Sequence, residues 1–141
     1  MTEITDVNEW DRQVIEEFRA NGGNMSGQLA GAPLLLLTTT GAKSGQQRTR
    51  PLVYLLEGGQ IYVFAGNRGA ATNPAWYHNL VANPDVTVEV GAEKFEARAI
   101  IIEGEEADRL GNIQLQKIPA LAELAAKMTR KVPAVLLQRK H

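Results

Sequence analysis

Val86-Thr87-Val88-Glu89-Val90-Gly91-Ala92-Glu93-Lys94-Phe95-Glu96-Ala97-Arg98-Ala99-Ile100-Ile101-Ile102 decides the reading of the fold. Apolar and polar residues alternate strictly on both sides of Gly91-Ala92-Glu93. That period of two is the mark of an antiparallel hairpin with one buried face. Upstream, Gly58-Gly59 separates Leu52–Glu57 from Gln60–Ala65, a second compact hairpin. Leu34–Thr39 is a continuous apolar and β-branched run, read as a well-buried strand. Val132–Leu137 supplies a last strand, with Pro133 implying a sheet edge or a strand start. Six strands result, mostly linked by hairpins.

Helical signals flank and interrupt them. Val7 to Ala20 carries Trp10, Val14 and Phe18 at four-residue spacing, with Asp6 or Asn8 as cap and Asn21-Gly22-Gly23-Asn24 as terminator. Between the hairpins, Asn73 to Leu80 reads as a short helix, capped by Asn73 and with Pro74 in its first turn. Glu105 to Thr129 reads as a helix broken at Ile118-Pro119. The expected architecture is mainly β with flanking helices, a six-stranded antiparallel sheet curled into a small barrel. Residues 1–141 form one domain in this reading, with an N-terminal helix and linker at 1–24 and the barrel at 30–139.

The 141 residues include no cysteine, which excludes zinc-thiolate sites, iron–sulfur clusters and cysteine nucleophiles. The only histidines are His78 and His141, so a multi-histidine metal site is not expected. No apolar run is long enough to span a membrane, and the first residues carry acids where a secretion signal carries bases. A cytoplasmic protein is the expectation. The formal net charge of -1 hides segregation. Residues 1–17 hold Glu3, Asp6, Glu9, Asp11, Glu16 and Glu17 against Arg12, whereas 18–84 hold Arg19, Lys43, Arg48, Arg50 and Arg68 against Glu57. The excess in the middle third suits a small anionic ligand and is too small for a nucleic-acid binder. The acidic first helix is a poor match for an anionic membrane.

Two segments concentrate that charge. Thr38-Thr39-Thr40-Gly41-Ala42-Lys43-Ser44-Gly45-Gln46-Gln47-Arg48-Thr49-Arg50-Pro51 joins two buried strands with three cations and no acid. Its glycines permit backbone that aims amides at an anion, and its arginines can fork onto phosphate or carboxylate. A solvated hairpin tip is the plainer alternative. It is not a P-loop, because Ala42 parts Gly41 from Lys43 and a strand follows; nor does Ser44 have a base to make it a nucleophile. The second segment, Ala65 to Leu80, places Arg68 in a glycine-flanked loop before a helix start that carries Trp76 and Tyr77. Neither segment offers paired carboxylates, a triad or a metal site. Any reactive group therefore comes from a cofactor.

The ordered set Leu36 to Gly45, Arg48 to Leu52, Gly66 to Ala70, Asn73 to Leu80 and Ala82 to Val86 resembles the deazaflavin-dependent nitroreductase family over roughly residues 30–139. The resemblance implies a flavin-reductase-like split β-barrel that binds coenzyme F-420, an 8-hydroxy-5-deazaflavin with a phospholactyl-oligoglutamate tail. It implies cofactor contacts at Lys43, Ser44, Gly45, Arg48, Pro51, Ala65, Gly66, Asn67, Arg68, Ala75, Trp76 and Asn79, and no catalytic side chain, since the hydride comes from the cofactor. The segment before the last strand would face the substrate, with Ile118, Leu121 and Leu124 as its wall. Nitroimidazole-activating members carry tyrosines there, whereas Ile118-Pro119-Ala120-Leu121-Ala122-Glu123-Leu124 has none. A flat conjugated acceptor such as a quinone is therefore expected. FMN in place of the deazaflavin, and a cofactor carrier without chemistry, are the alternatives. A homodimer is compatible with such a barrel.

Overall fold

The computed structural model describes residues 9–66, 71–128 and 130–140, without the side chains of residues 28 and 124. Its strands are β1 (Leu34–Thr40), β2 (Gln47–Val53), β3 (Leu55–Glu57), β4 (Gln60–Phe64), β5 (Asp85–Val90), β6 (Glu93–Ile102) and β7 (Ala134–Arg139). The helices are α1 (Glu9–Ala20), α2 (Ala75–Ala82), α3 (Glu105–Lys117) and α4 (Ala122–Ala126). The sheet order is β2-β1-β5-β6-β7-β4-β3, with every pair antiparallel. Strands β2 and β3 thus stand at opposite ends of the sheet, yet Tyr54 alone separates them in the chain. Only a sheet curled until its two ends meet satisfies both facts, and the barrel is split at that seam.

Alternation assigns the two faces. Leu35, Leu37, Val86, Val88, Ala97 and Val135 point into the barrel and are almost wholly buried. The intervening residues Leu34 and Leu36 point outward, where Val14 and Phe18 of α1 cover them. Two ion pairs fasten α1 to the sheet. The Arg19 fork donates to both carboxylate oxygens of Glu89 at 2.8 and 3.0 Å, and Arg50 Nη1 donates to Asp11 Oδ2 at 3.3 Å. Hydrogen bonding to Glu89 holds Arg19 above the ordinary arginine range. On the opposite wall Ala107 and Leu110 of α3 pack on Leu55, Tyr62 and Ala134. Helix α2 plugs one end of the barrel with Trp76 and Leu80. Among the described residues no helix is long and apolar enough to cross a membrane, and no cluster of His, Cys, Asp and Glu could hold a metal.

The structure amends the sequence reading in three places. There are seven strands, because Leu52–Glu57 divides at Tyr54 and the chain changes from one end of the sheet to the other. Strand β2 begins at Gln47, so Arg48 and Arg50 stand on a sheet edge and not in a loop. Its polar first half shows no apolar period; pairing with all seven residues of β1 makes it a strand. Asn73 does not cap α2, whose cap position is Pro74; the Asn73 carboxamide is taken by Arg130. The break expected at Ile118-Pro119 is where the third helical segment stops, turning through a 3-10 helix at Pro119–Leu121 before it resumes as the short α4. Pro133 does mark a strand start, and β7 lies inside the sheet between β6 and β4. Val7, Asp6 and Asn8 lie outside the described residues.

Candidate functional site

A groove of about 950 Å³ runs beside the split. One wall is β2 with Arg50, Pro51, Leu52 and Val53, joined by Asp11 from α1. The facing wall is helical, with Ala107, Gly111 and Leu115 on α3, then Leu121, Ala125 and Met128. Phe64, Gly66, Pro74 and Trp76 lie between the walls, and Arg130, Lys131 and Val132 also line the space. Gly111 sits mid-helix at this surface, and a Cβ there would meet nothing within 4 Å. The helical side is mixed, since Asp108, Asn112 and Gln114 of α3 line it beside the apolar residues, while Arg50 and Asp11 put charge on the strand side.

The loop between β1 and β2 forms a separate, exposed feature. Gly41 N–H donates to Gln46 O at 2.7 Å and Gly45 N–H to Gly41 O at 3.1 Å, so the glycine amides close the loop upon itself. Gly45 takes φ +73°, the left-handed region where glycine is least strained. Gly41 is required for space, since a Cβ there would lie 2.5 Å from Ser44 Oγ. That hydroxyl accepts from Gln46 N–H at 3.1 Å. The amides left without an acceptor among the described residues are those of Lys43 and Ser44. Two outward N–H groups beside the Lys43 ammonium make a cradle that fits an anion.

Helix α2 links this cradle to the groove. Asn79 Oδ1 accepts from Ala42 N–H at 3.1 Å, its Nδ2 donates to Thr39 Oγ1 at 3.2 Å, and Asn83 Nδ2 donates to Thr40 O at 3.4 Å. Trp76, one helical turn N-terminal to Asn79 and about 4.5 Å along the axis, lines the groove. The strand-end loop is held by Arg130. Its Nη2 donates to Ala65 O at 2.8 Å and Thr72 O at 3.1 Å, and its Nη1 donates to Asn73 Oδ1 at 2.5 Å.

Of the residues expected to form the site, Pro51, Gly66, Trp76 and Leu121 line the groove. Lys43, Ser44 and Gly45 lie in the exposed loop, Arg48 is half-buried on β2, Ala65 is buried, and Ala75 is exposed. Asn79 supports the loop through both ends of its carboxamide. Ile118 is outside the groove lining, Leu124 is on α4 with its side chain undescribed, and Asn67 and Arg68 lie outside the described residues. His78 is exposed and meets Tyr77 edge-on at 5.8 Å; burial, then the Glu103 charge, raises the Tyr77 phenol above its usual range. Sequence reasoning missed Asp11, Gly111 and Arg130. Arg130 left no signal because two of its partners are backbone carbonyls more than fifty residues away.

An antiparallel barrel split at one seam, with a helix-walled groove along it, defines a flavin-reductase-like split-barrel protein. The family described as "F420H(2)-dependent quinone reductase" matches residues 10–139, and the chain belongs to it. An F420H(2)-dependent quinone reductase of Mycobacterium tuberculosis is 35% identical over 127 residues, covering 87% of this chain and 85% of the relative. The solved F420-H2 dependent reductase FDR-A superposes with a TM-score of 0.66 at 36% identity, over 75% of this chain and 94% of that one. A structure described as a domain-swapped dimer gives 0.69 at 32% identity, over 92% and 98%. The haem-storage protein HutZ of Vibrio cholerae, at 17% identity and a TM-score of 0.59, shares the fold alone.

Proposed function

We propose that this chain is an oxidoreductase that uses reduced coenzyme F-420 to reduce a quinone, acting in the cytoplasm as a homodimer. When bound, the coenzyme supplies a hydride from C5 of its reduced ring. The protein's part is to hold, orient and exclude water. Lys43 and the amides of Lys43 and Ser44 hold the anionic tail. Asn79 fixes that loop onto α2. Pro51, Phe64 and Trp76 offer faces for a flat ring, and Gly66 leaves room beside them. Leu115, Leu121, Ala125 and Met128 keep the acceptor side dry.

The observation that carries this reading is that one short helix ties the cationic loop at Asn79 and lines the groove at Trp76, one turn away. A ligand with a planar head and a long anionic tail is the shape that spans them. FMN, with one phosphate on a short chain, uses less of that span. Domain-swapped dimerisation in a solved relative supports the homodimer.

Two measurements test it. Absorbance titrations with oxidised coenzyme F-420 and with FMN should give the tighter curve for the deazaflavin. Stopped-flow oxidation of the reduced coenzyme should then be faster with menadione than with a bicyclic nitroimidazole, because residues 118–124 carry no tyrosine hydroxyl to meet a nitro group. An unmet hydrogen bond costs about 1–3 kcal/mol, roughly a five- to hundred-fold handicap in kcat/KM. Equal values for the two acceptors, or a preference for the nitroimidazole, would refute that explanation.

A further inference from the structure

Three cations line the groove, Arg50, Arg130 and Lys131, and they are unequally committed. Arg130 is spent on three backbone carbonyls and a carboxamide. Lys131 is 87% exposed and pairs with Asp108 at 3.3 Å. Arg50 differs from both. Its side chain is only 26% exposed, and among the described residues its single engaged donor is Nη1, on Asp11. A guanidinium has five N–H donors in a rigid plane, so four remain. Strand register puts Arg50 opposite Leu37, on the barrel's inner face, while Asp11 reaches it from the helix outside. The carboxylate is itself 8% exposed, so it fixes the guanidinium from behind with little freedom of its own.

We propose that Arg50 is a specificity-determining residue that selects acceptors bearing an anionic ring oxygen, and that Asp11 is its positioning residue. This rests on the quinone reading above and names the kind of quinone, one with an ionised hydroxyl on the ring. A planar donor fork in the wall of a groove that also offers Pro51, Phe64 and Trp76 matches a flat ring with negative oxygen at its edge. The coenzyme's tail is the other source of anionic oxygen. It has its own cradle at Lys43, on exposed backbone, whereas Arg50 stands among the groove's apolar side chains.

Calorimetry with lawsone, a naphthoquinone ionised at neutral pH, and with neutral menadione tests the inference, on the protein alone and saturated with oxidised coenzyme F-420. The parent should prefer lawsone by about tenfold, the scale of one charge-assisted hydrogen bond. Arg50→Gln should abolish that preference, and Arg50→Lys, which keeps charge without the fork, should retain part of it. Asp11→Ala, which leaves the fork without its anchor, should lower the preference part-way, while Arg50 itself is kept. A pair that merely pins α1 to the sheet predicts something else: both variants lower Tm, and neither changes the preference. That result overturns the inference, as does a preference that survives in Arg50→Gln. Weakening of coenzyme binding by Arg50→Gln to the same degree as lawsone binding reassigns Arg50 to the tail and overturns it too. Equal affinity of the parent for both probes refutes the inference and leaves the quinone reading standing. Failure of either probe to bind the coenzyme-saturated protein overturns the quinone reading itself.

Discussion

Replacing Arg130 by methionine isolates the clamp that holds the strand-end loop. The substitution keeps most of the aliphatic stem and removes the guanidinium. Besides the long 3.4 Å contact with the exposed Lys131 carbonyl, three acceptors lose their donor, but they differ in what can replace it. Thr72 is exposed and Asn73 half-buried, so water can take those places. Ala65 has no exposed surface, and its carbonyl oxygen loses the 2.8 Å bond with no solvent at hand. An unmet buried acceptor costs about 1–3 kcal/mol, and the two wetter bonds add a fraction more, for a loss of about 2–3 kcal/mol. With a urea m-value of about 2 kcal/mol/M for a chain of this size, the midpoint should fall by about 1–1.5 M at unchanged m. Because the clamp also sets the loop that begins at Gly66, coenzyme F-420 should bind more weakly. A midpoint within about 0.2 M of the parent would show that the carbonyl is satisfied otherwise and that the clamp has no energetic weight.

Lys43→Ala should weaken coenzyme binding by about 1–3 kcal/mol, and added salt should mimic part of that loss, as read by absorbance titration. Gly111→Ala should stabilise α3 by about 0.5–1 kcal/mol, since its new Cβ meets open space, while Gly111→Leu should fold but lose the coenzyme or its acceptor by filling the groove. Asp85 and Glu93 have their carboxyls held below the usual range, first by hydrogen bonds from Lys140 and Arg139. A lowered folded value means stability that is present above the ordinary values of 3.8 and 4.5 and is lost as pH falls through the lowered ones. Thermal melts from pH 5 to pH 2 should therefore show a modest loss, reduced in Arg139→Met.

What could be read from the sequence was what periodicity records. The 86–102 hairpin, the buried run at Leu34 and the four-residue spacing of Val14 and Phe18 each reflect one buried face, and each stands where expected. The entry of β2 at Gln47 could not be read that way, because Gln47-Arg48-Thr49-Arg50 is polar throughout and owes its conformation to the strand beside it. The site divides along the same line. Pro51, Gly66 and Trp76 belong to local motifs and were legible, whereas Asp11 meets Arg50 across 39 positions and only the folded chain joins them. The charge segregation was legible but not its meaning: two of the middle-third cations are neutralised, Arg19 by Glu89 and Arg50 by the acidic first helix.

The one-residue joint at Tyr54 has a kinetic consequence. On either side of it the chain forms local pairs, β1 with β2 and β3 with β4, which need only short loops to close. The pairings that bring these two units into one sheet, β1 with β5 and β4 with β7, join residues about 50 and about 75 positions apart. Loop-closure entropy makes such pairings slow, so two hairpins tethered at Tyr54 should form early and the closed barrel late, in milliseconds to seconds. The groove takes one wall from the first hairpin and the other from helices that precede β7, and it exists only after closure. A ligand that fills it meets nothing to bind in the rate-limiting ensemble. Such a ligand should slow unfolding and leave the refolding rate as it was.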